Sequence, residues 1–402
     1  MADEATPELA YLLLVFGLFV VPKFLQRYRL PSAVTSLALG AFVSLGLHLF
    51  TQDATIQLFA TLGIVALFLF AGLEVDFREL QREMTVLTWH LGIQLVLLGV
   101  VTWMLASLVP LPGRAAALVA LALLTPSTGF ILDSLPSFGL SGREQFWVKS
   151  KAISTELVAL AVLFVVLQGD DIQRLGLSFL TLGGLVVVVP LAFLVFARTI
   201  LPFAPKSEFA FLVIVALVCA FVTRRLGVYY LVGAFLVGVS AQRFRRELPA
   251  LASEKMLHAV EVFASFFVPF YFFKAGLHLE RSDLTWTTFA VGAGLLVVAV
   301  PLRVVTTALL RRMALREQWR DALRVSTPLL PTLVFTLVIA EILRERFVLP
   351  PWLFGALVFY TVLNTIIPGL LLHAPAAEPD LIAAGDAPDE GVVPLVPQPN
   401  QP

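Results

Sequence analysis

The sequence predicts an all-α polytopic membrane protein of about 13 transmembrane helices, arranged as two inverted repeats with a broken helix in each. Three observations carry this expectation. Of the 402 residues, 59% are hydrophobic and 14% charged, and the mean hydropathy is +0.91. Apolar stretches of about 20 residues, the length that spans a hydrocarbon core, recur from one end of the chain to the other. Two of those stretches hold clusters of proline and hydroxyl residues deep inside apolar sequence.

Taken in order, the spans read at about 8–26, 32–49, 55–75, 86–110, 114–135, 145–168, 175–200, 207–223, 227–241, 256–279, 284–310, 322–345 and 351–373. The first follows MADEATPELA, which is acidic and lacks the basic region of a signal peptide, so no cleavage is expected. The third ends in GLEVD, where Glu74 and Asp76 read as charges at a cytoplasmic helix end. Short connections hold most of the remaining charge. Residues 1–373 form one transmembrane domain on this reading. Residues 374–402 are rich in Pro, Ala and acid, too poor in apolar surface to fold, and expected to be a disordered cytoplasmic tail with no regulatory domain after the membrane region.

Composition also excludes classes. The net charge is zero and no basic stripe carries aromatics, so nucleic acid is not an expected partner. Cys219 is the only cysteine, and the five histidines show no ligand spacing, so neither a disulfide nor a cysteine metal site is expected. There is no Gly-rich phosphate loop, and no span holds a nucleophile–base pair, so the chain does not read as an enzyme and no cofactor is implied.

Orientation follows from Lys and Arg in the loops. One side holds Lys23, Arg27 and Arg29, then Arg78 and Arg82, Arg143, Arg198 and Lys206, the group from Arg243 to Lys255, and Arg311, Arg312, Arg316 and Arg320. The other side holds fewer, among them Arg114, Arg224, Arg225, Arg344 and Arg346. The richer side is expected to be cytoplasmic, with the N-terminus outside and the C-terminus inside.

The fifth span reads ALLTPSTGFILDSL, with Thr125, Pro126, Ser127 and Thr128; the twelfth reads RVSTPLLPTLVFTL, with Thr327, Pro328 and Thr332. Proline removes a helix hydrogen bond and clashes one turn back. The freed carbonyls are tolerated in a membrane where they line a protein cavity. The two spans lie seven apart, which suits discontinuous helices meeting near the midplane of two related halves. Carbonyls and hydroxyls there can hold a dehydrating alkali cation, which prefers oxygen ligands. The plainer reading is that Pro and Ser/Thr merely kink ordinary spans.

Glu156 sits within AISTELVALAVLFVV, and Lys274 interrupts FFVPFYFFKAGL. A charge at the centre of a spanning helix costs about 2.5–3.5 kcal/mol on insertion scales, so such residues face a cavity and mark ion or proton paths. An acid and a base buried in two spans point to a protein that moves charge. As a purely structural acid, Glu156 would instead pair with Lys149 or Lys151 on its own helix.

The chain resembles the monovalent cation:proton antiporter-2 family, which includes Kef-type potassium and related sodium antiporters with the NhaA-like fold. The resemblance rests on RYRLPSAVTSLALGAFVSLG, on LFLFAGLEVDFREL at 67–80, on the polar break LLTPSTGFILDSL, on GVYYLVGAFLVGVSAQ at 227–242 and on VFASFFVPFYFFKAGLHLE at 262–280, in the family's order over about residues 8–373. It implies a core bundle with crossed broken helices beside a dimerisation bundle, in a homodimer of a bacterial inner membrane. In that family an Asp in the sixth span, preceded by Asp, Asn or Gln, binds cation and proton in turn; the slot here reads Thr155-Glu156. Lys274 falls where many relatives place a basic partner for that acid. The family's Gly-Glu-Phe in the twelfth span is here Pro331-Thr332-Leu333, and the acid some relatives carry in the fifth span is absent.

The expected function is exchange of Na+ or K+ for H+ by alternating access. Glu156 would be the shared proton and alkali-cation site, helped by Thr155, Ser127 and Thr128. One acid in reach implies one-for-one, electroneutral exchange if Lys274 stays charged and only positions Glu156; if Lys274 loses its proton when the cation binds, exchange becomes electrogenic. Glu74, Asp76 and Asp133 would steer cations into a cytoplasmic funnel. The missing acids leave a second reading, a channel-like or sensory protein that keeps the fold without coupled exchange.

Overall fold

The computed structural model describes residues 5–50, 52–75, 84–169, 172–204, 206–226, 230–243 and 253–372, and every regular element among them is helical. The first half runs α1 (Ala5–Gln26), α2 (Ser32–Phe42, continued by a π turn over Val43–Leu47), α3 (Ala54–Leu73), α4 (Met84–Leu108), α5 (Gly113–Leu124), α6 (Thr128–Ser134) and α7 (Gly142–Gln168). The chain continues through α8 (Ile172–Thr199), α9 (Glu208–Arg225), α10 (Tyr230–Arg243), α11 (Glu254–Leu277), α12 (Trp286–Leu315), α13 (Trp319–Ser326), α14 (Leu333–Arg346) and α15 (Trp352–Leu371). Each apolar segment read from the sequence corresponds to one helix or to a pair at a break. By length and composition, nine of these among the described residues can cross a membrane, with α5 and α6 counted together, and the bent pair α13–α14 makes a tenth. The expected 13 exceeds that count because α2 is short, α10 has 14 described residues, and α9 carries Glu208, Arg224 and Arg225 within 18. The tail 374–402 lies outside the described residues.

Burial sorts the spans. Only 11% of the apolar window of α4 is buried, and its Trp89, Val96 and Trp103 face outward, as does much of α1 and α8. By contrast 89% of Gly113–Leu132 is buried, although it is no more apolar. The span with the proline break is therefore the centre of the bundle rather than its lipid-facing rim.

Glycine sets how closely the surrounding helices approach. Lipid is as apolar as a leucine side chain, so helices in a membrane gain most from backbone-close contact, which small residues permit. Where α2 crosses α11, a Cβ on Gly276 would lie 2.1 Å from the Leu37 carbonyl oxygen, and one on Gly40 would lie 2.0 Å from that of Phe273. The α3–α10 crossing repeats this reciprocity: Gly72 faces the Phe235 carbonyl and Gly238 the Leu69 carbonyl, each at 2.4 Å.

At the centre, both breaks meet. α5 stops at Leu124 and the chain runs extended through Thr125 and Ser127 before α6 begins. In the other half, α13 ends in a single 3-10 turn over Thr327–Leu329, and α14 leaves at 45°. Helix ends at membrane depth leave backbone groups that must find partners. They find each other. Ser127 N–H donates to the Pro331 carbonyl at 2.8 Å, and the Ser127 hydroxyl oxygen accepts the Val334 and Phe335 N–H groups at 3.0 and 3.2 Å. The last carbonyls of α5 are taken by Thr336 at Ala122, Tyr360 at Leu123 and Gln94 at Leu124. Arg303 of α12 donates to the Leu329 and Leu330 carbonyls at 2.5 and 2.6 Å.

Two outcomes follow from this packing. Gly276→Leu drives a side chain into backbone and should lower the melting temperature and monodisperse yield of purified protein sharply. Gly99→Leu, where nothing lies within 4 Å, should leave both unchanged. Ser127→Ala orphans two buried N–H groups at about 1–3 kcal/mol each, so its thermal unfolding should shift clearly downward, with Ser127→Thr restoring part of the loss.

Candidate functional site

α7 carries the central acid. Its start is fixed by a capping box in which the Ser141 hydroxyl accepts Glu144 N–H and the Glu144 carboxylate accepts Ser141 N–H at 2.7 Å. Its far end is tied to α5 by Arg114, which donates to the Val166 and Leu167 carbonyls at 2.8 and 3.0 Å. Between these anchors Glu156 is 2% exposed and faces the first break. Its Oε2 accepts the Thr128 N–H at 3.0 Å, from the first residue of α6. Among the described residues, no Lys, Arg or His forms an ion pair with it.

Two buried hydroxyls near this break lack partners. The Oγ1 atoms of Thr128 and of Thr155, the residue before Glu156, are buried and unbonded. A buried hydroxyl without a partner costs about 1–3 kcal/mol. Both are oxygen donors of the kind a hard monovalent cation takes. The arrangement can hold a proton on Glu156, or accept a cation against it.

Of the residues singled out from sequence, Thr128 is brought to Glu156, with Ser127 adjoining, whereas Thr155 lines a small cavity with Pro126, Lys151 and Arg303. The Ser127 hydroxyl oxygen is already engaged by α14, so it holds the crossing. Thr125 and Pro126 form the extended link of the first break. Thr327 and Pro328 lie in the 3-10 turn, where the Thr327 hydroxyl donates to the Leu323 carbonyl. Thr332 caps a buried cluster with Thr336, Thr361 and Asn364 at 2.8–3.2 Å.

Lys274 stands elsewhere. Rather than pairing with Glu156, it contacts Glu341 of α14 at 3.3 Å, and His278 approaches the same carboxylate at 3.4 Å. The reason is axial position: Lys274 lies in the last turn of α11, level with the start of α3. There it lines a cavity of about 580 Å³ with Asp53, Tyr271, His278, Glu341 and Glu345. Glu74, expected in a funnel, lies at the opposite end of α3 and is ion-paired with Lys149. Asp76 lies outside the described residues, as does the side chain of Asp133. Lys151 donates to the Thr307 hydroxyl. Neither lysine of α7 therefore serves as the partner of Glu156.

Arg303 and the α15 residues Tyr360 and Asn364 were not singled out from sequence. Arg303 carried a usable signal, since it interrupts the apolar run AVPLRVV as Glu156 interrupts its own. Tyr360 and Asn364 carried none, being unremarkable residues whose role depends on which helix faces the break.

The family described as sodium/hydrogen exchanger, transmembrane, matches residues 12–378. The glutathione-regulated potassium-efflux system protein KefC of Shigella flexneri serotype 5b is 25% identical over 299 residues, covering 70% of this chain and 46% of that protein. KefC of Escherichia coli O7:K1 is 26% identical over the same length. The chain thus spans about half the length of the curated relatives it matches. Among solved structures, the sodium proton antiporter MjNhaP1 of Methanocaldococcus jannaschii at pH 8 superposes with a TM-score of 0.68 at 13% identity, over 93% of this chain and 100% of that one. A second structure of that antiporter gives 0.65 at 15% identity. These structures share the overall fold described above, and the chain belongs to the sodium/hydrogen exchanger transmembrane family, a family of transporters rather than enzymes.

Proposed function

We propose that the protein exchanges a monovalent cation, Na+ or K+, for H+ by alternating access, and that both ions take Glu156 in turn. One observation carries the proposal: a carboxyl 2% exposed, without an ionic partner among the described residues, held by the N–H of Thr128, whose own hydroxyl is buried without a partner, at the crossing of two broken helices. Bare, that carboxylate would oppose movement through the membrane by about 2.5–3.5 kcal/mol or more. A proton neutralises it. So does a cation bound by Glu156 with Thr155 and Thr128. The carrier thus crosses loaded with one or the other.

The position of Lys274 supports one-for-one exchange. Paired with Glu341 and distant from the crossing, it neither neutralises Glu156 nor supplies a second proton at the site. Ser127 acts by positioning the Thr128 N–H, and Thr125, Pro126, Thr327, Pro328 and Thr332 shape the breaks. The large cavity between Asp53 and Glu341 does not include Glu156 among its lining residues, so Glu156 is closed off from that cavity. We further place the protein as a homodimer in a bacterial inner membrane, its N-terminus outside and its C-terminal tail cytoplasmic, which opens that cavity outward. The loop charges and the bacterial relatives support this.

In sealed proteoliposomes with a pH-sensitive dye, adding Na+ and K+ in turn should move protons with at least one of them. Glu156→Gln should reduce this to the level of protein-free vesicles while purifying as folded dimer. The wild-type rate should be the same with the membrane potential clamped at zero as with about 100 mV imposed, a field worth about 2.3 kcal/mol per net charge moved. Exchange persisting in Glu156→Gln would refute the shared site. Silence with both cations from folded protein would favour the channel-like or sensory reading.

A further inference from the structure

On the other side of the break from the Asp53 cavity lies a second, much smaller one. It holds about 20 Å³ and is lined by residues including His90, Pro126, Lys151, Thr155, Arg303 and Thr307. Two of its walls are cationic, and no carboxylate lines it among the described residues. Arg311, the next cation along α12, is satisfied by Glu317 at 2.6 and 2.9 Å. Arg303 reaches two neutral carbonyls and the Tyr360 hydroxyl, and Lys151 donates to a hydroxyl. Two further polar atoms of the lining residues, His90 Nε2 and Thr155 Oγ1, are buried without a hydrogen-bond partner, on residues 6% and 3% exposed.

Uncompensated charge inside a protein is costly, and buried cations are found paired. Here the pair is missing while the donors converge. Room for one water requires about 10–15 Å³, so the cavity admits a single small particle and excludes polyatomic oxyanions. Water would satisfy the hydroxyl and the imidazole but leave both cations uncompensated. We propose that this cavity binds one small monovalent anion of the halide class, chloride under ordinary conditions, between Lys151 and Arg303 with Thr155 and His90 as further donors. The anion neutralises a cationic wall set directly against Pro126 and the Leu329–Leu330 link, so it stabilises the crossing from the side opposite the ion-pair cavity. The proposal does not depend on which cation is exchanged.

The test uses the full chain in detergent, melted across titrations of sodium chloride, sodium bromide and sodium gluconate at constant sodium and ionic strength. Chloride and bromide should raise the melting temperature saturably, and gluconate, too large for the cavity, should not. Lys151→Met should raise the half-saturating halide concentration by about tenfold or more, the loss of one charged hydrogen bond. Crystals grown in bromide should show an anomalous peak between Lys151 and Arg303, a readout that needs no variant. Equal curves in chloride and gluconate would overturn the site, as would halide stabilisation unchanged in folded Lys151→Met. A bromide effect with no anomalous peak in this cavity would overturn it too.

Discussion

Three hydrogen bonds around Ser127, one from its N–H to Pro331 and two received by its hydroxyl from Val334 and Phe335, join the two broken helices. Without water at membrane depth, an interrupted helix is tolerable only if its exposed backbone groups are answered by protein. Here each break answers the other, and Thr336, Tyr360, Gln94 and Arg303 take the carbonyls that remain. The rest of the bundle serves this crossing. Glycine-close contacts of α2 with α11 and of α3 with α10 build rigid walls, and Arg114 ties α7 to α5 so that Glu156 arrives opposite Thr128.

A crossing satisfied in this way leaves few polar atoms over, and those few are informative. The unbonded hydroxyl of Thr128 belongs to the residue whose N–H holds Glu156, and that of Thr155 belongs to the lining of the small cationic cavity. Threonine in place of the family's amide or acid before the carboxylate therefore has a physical consequence. It places a neutral hydroxyl, rather than a charge or an amide, on the wall shared with Lys151 and Arg303.

Much of this was legible in the sequence, for reasons that mark where legibility ends. Hydropathy and proline placement located both breaks, because a Thr-Pro inside an apolar run is a local property of the chain. Glu156 announced itself by the cost of burying a charge, and the same argument reaches Arg303, which interrupts its run just as visibly. Partner choice was not legible. Lys274 belongs to Glu341 because the last turn of α11 lies level with the end of α14, and no spacing within either helix encodes that. Glu341 reads as a helix-end charge until its neighbour is known. Likewise the glycines of α2 and α11 are plain in sequence, whereas the carbonyls they make room for are not. The number of crossings is the least legible of all, since α9 and α10 sit at the border of what length and charge allow a span.

The claim at the centre of the account is that one carboxyl is shared between a proton and a cation. The most direct test is to count protons released as cation binds to purified, detergent-solubilised protein in weakly buffered solution, with binding followed calorimetrically in buffers of different ionisation enthalpy. The account predicts one proton released for each Na+ or K+ bound, cation affinity falling as pH is lowered, and both effects absent in Glu156→Gln. Cation binding with no proton release, or with release that survives in Glu156→Gln, would contradict it.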